Sequence, residues 1–363
     1  MKSYLAVLAI LCLTACQAGG QAAAPASVET SVGLQTKEEA VRDNPVHPHE
    51  KDETGAKASD VSSSSASSQK SLAQLVDACH ATDPDSCEKA GLGYAAAATD
   101  NLLHAADFYA KGCDQSNASN CIRMGLMLQK GDGVQLDWFA AAINFRSACD
   151  LDDTECSNLG LAYVFGQGVV RDGRRAVQLF DKACRAGRMT GCANLGAAYM
   201  KGIGVHRDRQ RAIALFREAC SDGDSLGCFN LGVIYHTGQG VRRDLKRAAT
   251  YYQTACDHND GESCSNLGKL RLGRKIGARD PKAAAQLFYR GCILNDAESC
   301  LYLGLAHQSG DGVRANAYDT RSYLWRAVAL DPKSQAARRA LARLARIGDE
   351  RAATPAGRQP SGE

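Results

Sequence analysis

Aromatic residues are scarce in this chain of 363 residues: they make up 6%, and two of them are tryptophan. β-Sandwiches favour aromatic and β-branched residues, so this scarcity argues against that class. A large excess of charge of one sign is also missing, because the formal net charge is +3 at pH 7. Nothing in the overall charge predicts nucleic-acid binding. Apolar residues still reach 45%, which is enough for a buried core of closely packed helices.

Several catalytic and metal-binding patterns are missing as well. Serine β-lactamases combine S-x-x-K with S-D-N and K-T-G, and neither of the last two occurs here. The S-x-x-K at Ser67–Lys70 lies in a serine-rich segment that we predict to be a linker, which cannot hold a nucleophile beside its base. H-E-x-x-H and paired C-x2-4-C knuckles are absent. The sequence therefore predicts no catalytic residue, no metal site and no cofactor.

The N-terminus has the features of an export signal. Lys2 precedes the apolar run YLAVLAILCL, which is too short to span a bilayer as a mature helix. The stretch LTAC resembles the lipobox of bacterial lipoproteins, which implies that residues 1–15 are removed and that Cys16 is lipidated. By the same resemblance, Gln17 implies an outer-membrane lipoprotein, either periplasmic or surface-exposed. The alternative is an ordinary signal peptide with a chance cysteine.

Two segments lack the large apolar residues that a folded core requires. Residues 16–70 are rich in Ser, Ala, Glu, Lys and Gly and predict a flexible tether. Residues 348–363 predict a disordered tail for the same reason. The stretch VHPHE at residues 46–50 could hold a metal loosely, but a solvated linker is the preferred interpretation.

The remaining fourteen cysteines recur as pairs with a nearly fixed period. The first cysteines of successive pairs are 34 to 36 residues apart, and such a period is typical of a solenoid built from repeats. Disulfides are favoured over zinc, because the chain is predicted to be exported and the spacing does not match zinc knuckles. The pairs are Cys79 and Cys87, Cys113 and Cys121, Cys149 and Cys156, Cys184 and Cys192, Cys220 and Cys228, Cys256 and Cys264, and Cys292 and Cys300.

Each copy of the repeat predicts two helices. In CFNLGVIYHTGQGV, the residues Cys228, Leu231 and Tyr235 have helical spacing, and the G-x-G-V motif then ends the helix. Asp244 can cap the second helix, and a Gly or Asn three residues after its cysteine can end it. A glycine four residues after the second cysteine in all seven copies predicts close approach of the partner helix. Each cysteine pair would then join the second helix of one copy to the first helix of the next.

The pattern CxNLGxxYxxGxGVxxDxxxAxxLFxxAC resembles the Sel-one-like repeat, a relative of the tetratricopeptide repeat. The junction cysteines are similar to those of the Helicobacter cysteine-rich proteins, in which they pair. The resemblance implies an all-α, right-handed solenoid of about seven helix–turn–helix repeats over residues 71–330, followed by a capping helix within residues 331–347. It also implies an adaptor that binds other proteins. The sixth copy, which lacks the Tyr and the G-x-G-V motif, and the shortened third pair depart from the pattern.

The same resemblance supplies a second candidate function. Some cysteine-rich members are linked to penicillin binding and to β-lactamase activity. Binding or hydrolysis of a β-lactam or a peptidoglycan fragment is therefore the alternative to a protein-binding scaffold. The absence of S-D-N and K-T-G argues against the enzyme.

An asparagine two residues after the second cysteine recurs in four consecutive copies. If the first helix of each copy lines a concave face, these amides would form a ladder that binds an extended peptide backbone, because an amide both donates and accepts. The alternative is a structural role, in which each amide bonds a neighbouring helix or loop. Met200 and His236 are predicted to face the same groove. The asparagines are Asn158, Asn194, Asn230 and Asn266.

These inferences predict an envelope-anchored scaffold that binds a protein or peptide partner, without nucleic acid. The alternative partners are a peptidoglycan fragment and a host protein. The capping helix carries Arg339, Arg343 and Arg346 at helical spacing. This stripe predicts either a solvated face or contact with acidic lipid or an anionic envelope polymer.

Overall fold

The computed structural model describes residues 63–97, 101–274 and 276–348. Within these residues the chain forms α-helices and no strand, which confirms the all-α class, and none of these helices is long and apolar enough to cross a bilayer. The predicted signal at 1–15, Cys16 and most of the predicted tether lie outside the described residues. The helices are α1 Ser63–His80, α2 Pro84–Ala97, α3 Leu102–Asp114, α4 Ala118–Lys130, α5 Trp138–Leu151, α6 Cys156–Phe165, α7 Gly173–Arg185, α8 Met189–Lys201, α9 Arg209–Ser221, α10 Ser225–Thr237, α11 Leu245–Asp257, α12 Gly261–Leu272, α13 Pro281–Ile293, α14 Ala297–Ser309, α15 Ala317–Leu330 and α16 Gln335–Arg346.

The helices alternate in two roles along the chain. An A helix carries the second cysteine of a pair, and the B helix that follows it carries the first cysteine of the next pair, except in the last copy. Each A helix packs against the B helices before and after it, α1 taking the B place ahead of α2. This alternation confirms the predicted solenoid of helix–turn–helix repeats. The A helices are α2, α4, α6, α8, α10, α12 and α14, and the B helices are α3, α5, α7, α9, α11, α13 and α15.

The first helix begins earlier than the sequence predicts. The predicted tether runs to residue 70, but α1 begins at Ser63. Five of the eight residues at positions 63–70 are serines, which are weaker helix formers than alanine, so helix propensity does not explain this early start. Because α1 begins at Ser63, the S-x-x-K at Ser67–Lys70 lies on a helix, and the prediction that it lies in a linker is wrong.

Seven disulfides join neighbouring copies, as predicted. Their Cα–Cα distances are 4.3 to 4.8 Å. Cys149 and Cys156 are seven residues apart instead of eight, and a 3₁₀ turn, Asp153–Glu155, leads from α5 into α6 at this junction. The shortened pair thus keeps its disulfide.

Local side chains and glycines determine where the helices begin and end. Asp244 accepts hydrogen bonds from the backbone N–H groups of Lys246 and Arg247, both at 3.0 Å, and so caps α11 as predicted. Gly238 has φ +80° and ends α10 in the left-handed conformation. Gly223, two residues after the end of α9, has the same left-handed conformation, with φ +86°. The sixth copy differs, because Gly273 has φ −76° after α12.

The recurrent glycine of the A helix lies directly on the following helix. A Cβ on Gly232 would lie 2.5 Å from the ring of Tyr252, so no larger residue fits without movement. This confirms the predicted close approach of the two helices. The glycines and the side chains they contact are Gly91 and Tyr109, Gly125 and Phe145, Gly160 and Phe180, Gly196 and Phe216, Gly232 and Tyr252, Gly268 and Phe288, and Gly304 and Leu324.

The core runs along the A helices. In α10, all ten residues from Leu226 to Tyr235 are buried, whereas α9 buries one face with Ala212, Ile213 and Phe216. B helices therefore expose their opposite faces to solvent. The surface of the central copies consists mainly of B helices and of the loops that connect A to B.

Candidate interaction surfaces

The asparagines of the predicted ladder do not line an open groove. Asn194 and Asn230 are fully buried and Asn266 is 1% exposed. Asn158 is partly exposed. The Nδ2 of Asn230 donates to the Leu226 carbonyl of its own helix at 2.9 Å. The prediction of an exposed ladder is therefore wrong at three positions, because the A helices there are packed on every side.

The other two predicted groove residues have different environments. Met200 is buried, so its predicted place in an open groove is wrong. His236 is partly exposed, and its carbonyl accepts a hydrogen bond from the Nε of Arg243 at 2.8 Å, which ties the end of α10 to the following loop. Asn158 lines a cavity of about 10 Å³ beneath α5, which has room for about one water molecule. Partner binding by His236 and Asn158 stays a prediction.

A sequence signal for this burial exists. A helix that is apolar on all sides is buried, whereas a surface helix is apolar on one stripe. The stretch CFNLGVIY in α10 has apolar residues at almost every position, while RQRAIALFREAC in α9 has the one-sided pattern. The sequence thus contains the information that the A helix is the inner element.

The loops between A and B helices stack along one edge of the repeats. A Cβ on Gly204 would collide with the Gly173 carbonyl at the start of α7, and one on Gly240 would lie 3.1 Å from the Arg209 side chain at the start of α9. We call this surface, formed by the A–B loops and the first turns of the B helices, the loop edge. The same packing places Gly133 on Leu102, Gly168 on Trp138 and Gly312 on Pro281.

In the central copies the loop edge is basic. Asp172, Asp208 and Asp244 cap their own helices by accepting backbone N–H groups, so these carboxylates are already engaged. Arg175 pairs with Asp172, and Arg247 pairs with Asp244. Of the exposed cations on this part of the described chain that make no ion pair, we call the following six the basic edge. They are Arg171, Arg174, Arg207, Arg209, Arg242 and Lys246.

The basic edge borders an open recess of about 1100 Å³. Arg174, Arg207 and Arg209 line it together with Tyr199 and Gln210. The Nε2 of Gln210 donates to the Gly240 carbonyl at 3.4 Å, so residues of three successive copies meet here.

In earlier copies, some positions of the loop edge that are basic in later copies carry large apolar side chains. Phe139 is the second residue of α5, the place that Arg174 takes in α7, and it is 67% exposed. Leu136 and Val170, in the adjoining loops, are 51% and 88% exposed. We call these three residues the apolar end of the loop edge. Large apolar side chains exposed together are a common feature of interaction sites.

The basic stripe of the last helix is partly engaged inside the protein. Arg339 lies over the Tyr302 ring, with its Cζ 5.3 Å from the ring centroid. The Nε of Arg343 donates to the Oε1 of Gln308. Two of the three predicted stripe residues therefore hold α16 against α14. Contact of this stripe with an anionic polymer stays a prediction.

The described residues supply little that points to catalysis. No three His, Cys, Asp or Glu side chains among them come together to hold a metal ion. A second S-x-x-K, Ser86–Lys89, which our reasoning from the sequence missed, lies on α2. Ser86 is buried and its hydroxyl donates to the Oδ2 of Asp83, so a carboxylate rather than the lysine is its partner. A search for the bare pattern would have found it.

Comparison with known families decides the identity of the fold. Six consecutive stretches match the family described as Sel1 repeat: residues 121–153, 156–187, 190–224, 225–260, 261–296 and 297–325. Together they span more than half of the chain. The chain belongs to the Sel1 repeat family. Sel1 repeat proteins are in general protein-interaction scaffolds, and the many disulfides of this Sel1 repeat protein indicate an extracytoplasmic location.

The chain is also similar to individual proteins of known sequence or structure. A solved Sel1 repeat protein from Oxalobacter formigenes is 25% identical with a TM-score of 0.54, covering 64% of this chain and 98% of that one. Cysteine rich protein B of Helicobacter pylori is 27% identical with a TM-score of 0.30, covering 36% of this chain and 93% of its own. Cytochrome c oxidase assembly factor 7 of Xenopus tropicalis is 32% identical over 111 residues, which are 29% of this chain and 48% of that protein. The chain thus spans about half the length of this curated relative.

Proposed function

We propose that this Sel1 repeat protein is an envelope-anchored scaffold that holds another protein at the outer face of its repeats. The observation that carries the proposal is the disulfide at every junction between copies. In a solenoid each copy contacts only its neighbours, so linking every neighbour fixes the relative positions of distant surface sites. A fixed array of sites suits a binding scaffold, because less conformational freedom is lost when a partner binds.

Envelope anchoring is the second part of the proposal. It is supported by the LTAC stretch that ends at Cys16 and by the oxidised cysteines. We expect the full-length protein to incorporate labelled palmitate in cells and to fractionate with outer membranes. Cys16→Ser should lose the label and leave the membrane. A Cys16→Ser protein that keeps both label and location would contradict the anchor.

The partner surface belongs on the B helices and the loop edge. The A helix α10 has no exposed side chain between Leu226 and Tyr235 that a partner could contact. The test is cross-linking of the oxidised full-length protein in intact cells, followed by purification under denaturing conditions and identification of the cross-linked partners. A reproducible envelope protein, lost after Phe139→Asp and retained after Ile143→Asp, would support a site at the loop edge. Cross-links to peptidoglycan fragments alone, or to no macromolecule, would contradict protein scaffolding.

A further inference from the structure

The basic edge and its recess form a site whose chemistry can be read from the residues. Arg174, Arg207 and Arg209 belong to two successive copies and line one concavity. Each is exposed and makes no ion pair. Guanidinium groups bind carboxylates in a forked, bidentate geometry, and several together raise the local concentration of an anionic ligand.

One carboxylate, that of Asp208, lies in the recess lining beside these cations. Its Oδ1 accepts the N–H of Arg211 at 2.9 Å as the cap of α9. Arg211 in turn stacks on Tyr199, with its Cζ 4.5 Å from the ring centroid. With three arginines against the single carboxylate of Asp208, the recess lining keeps an excess of positive charge.

The first turns of the B helices lie along the same edge. Backbone N–H groups at a helix N-terminus carry partial positive charge. Gly204 lies on the start of α7 and Gly240 on the start of α9, so successive N-termini line up along the loop edge. Asp172, Asp208 and Asp244 cap the N-termini of α7, α9 and α11, so the positive charge that recurs from copy to copy is that of the basic edge, which fits a ligand with several negative charges along its length.

We propose that the basic edge binds an acidic segment of a partner protein, with Asp or Glu side chains of that segment entering the recess between Arg174, Arg207 and Arg209. This proposal rests on the proposed function and names the chemistry of its partner. A recess of about 1100 Å³ suits side chains that project from a peptide better than it suits the plane of lipid headgroups. The apolar end, at Leu136, Phe139 and Val170, continues the same edge and fits apolar residues that flank the acidic ones.

The test is binding of a fluorescein-labelled oligoglutamate peptide to the oxidised full-length protein, measured by anisotropy at low salt. The edge variant combines Arg174→Glu, Arg207→Glu and Arg209→Glu. The matched control makes the same change of charge with Arg146→Glu, Arg321→Glu and Arg326→Glu, which are exposed on B helices away from the recess and make no ion pair. Circular dichroism and thermal melts of both variants check that the fold is kept.

We expect the edge variant to lose affinity by about tenfold or more and the control to lose less than about threefold, and added salt to weaken wild-type binding. Equal loss in the two variants would overturn the proposal, because it would reflect net charge alone. Absence of wild-type binding to oligoglutamate would also overturn it. So would binding to phosphatidylglycerol vesicles that depends on the same arginines while the peptide does not bind, because the surface would then be a lipid site.

This experiment separates the inference from the proposed function. If oligoglutamate fails to bind but cross-linking still captures an envelope protein, the scaffold function is supported and the proposal of an acidic partner segment is rejected. If the peptide binds at the arginines but no cellular protein is captured, the recess chemistry stands and the proposed scaffold function does not.

Discussion

Gly232 lies where α10 comes nearest to α11, and its missing side chain leaves the space that the Tyr252 ring fills. Alanine is the better helix former by about 1 kcal/mol, so a helix considered alone would gain from Gly232→Ala. In the folded protein the new methyl group would lie 2.5 Å from ring carbons of Tyr252, which is fully buried and cannot move into solvent. We expect a net loss of about 1–3 kcal/mol in the free energy of unfolding, measured by urea denaturation.

The control for this prediction is Gly273→Ala. Gly273 has φ −76°, and a Cβ there would meet its nearest atoms at ordinary distances of 3.4 and 3.7 Å. We expect this change to leave stability within about 0.5 kcal/mol of the wild type. If Gly232→Ala were equally neutral, the close approach of the helices would not be what selects glycine there.

Asp296 caps α14 and gives a pH-dependent prediction. Burial raises the pKa of its carboxyl, although its Oδ2 accepts the Ser299 N–H at 2.6 Å, which acts in the opposite direction. With a raised pKa in the folded state, the folded protein holds the proton more tightly than the unfolded chain. The contribution to stability is therefore present below the ordinary pKa of an aspartate and is lost as the pH rises through the raised value.

Asp296→Asn keeps an oxygen for the cap and removes the charge. We expect the free energy of unfolding of the variant, relative to the wild type, to rise as the pH increases from the ordinary pKa of an aspartate, and to level off above the raised pKa of Asp296. Denaturation curves across this range measure the difference. A difference that falls with increasing pH would show that the hydrogen bond outweighs burial at this carboxylate.

At the scale of single helices, the chain was largely predictable. The period of the cysteines, the recurrent glycine and the capping aspartates such as Asp244 are local signals, and each has a local physical cause. The sequence leaves the burial of Asn194 and Asn230 open, because an amide at helical spacing suits both an exposed ladder and a structural role, and the apolar residues around it decide between them. The stacking of Gly240 on Arg209 could not be predicted, because it depends on how one copy is placed on the next.

The junction between α9 and α10 is the unit in which the disulfide acts. Closing a loop of eight residues by the Cys220–Cys228 bond should contribute about 2–3 kcal/mol in the chain-entropy model. We expect Cys220→Ala with Cys228→Ala to lose about this much stability. Hydrogen exchange should quicken at the end of α9 and the start of α10 and stay nearly unchanged in α14 and α15, because each copy contacts only its neighbours.

Ser221→Ala provides the comparison at the same junction, because it removes an exposed hydrogen bond to the Glu218 carbonyl and keeps the disulfide. We expect it to cost less than about 0.5 kcal/mol. Faster exchange spread evenly over all helices of the disulfide variant would contradict a local role.

A destabilising substitution at the centre of the stack of repeats should reduce hydrogen-exchange protection over a different set of helices from one at its end. Leu231 in α10 and Leu344 in α16 are both fully buried, so replacing either with Ala should cost about 2–5 kcal/mol. Leu231 has copies on both sides, whereas Leu344 lies in the final helix, which packs on α14 and α15. We expect Leu344→Ala to lose hydrogen-exchange protection only in α14 to α16, and Leu231→Ala to lose it on both sides of α10. The same extent of lost protection in both variants would show that the chain unfolds as one cooperative unit.

Every disulfide in the described chain joins cysteines seven or eight residues apart, and this has a consequence for biosynthesis. Eight cysteines already allow about 105 different pairings, so fourteen would face a severe sorting problem if all pairings formed equally easily. The entropy lost in closing a loop grows with its length, so each cysteine meets its native partner more often than any other. A chain that enters an oxidising compartment from its N-terminus can therefore complete its bonds one after another as they arrive, with little need for an isomerase to correct them.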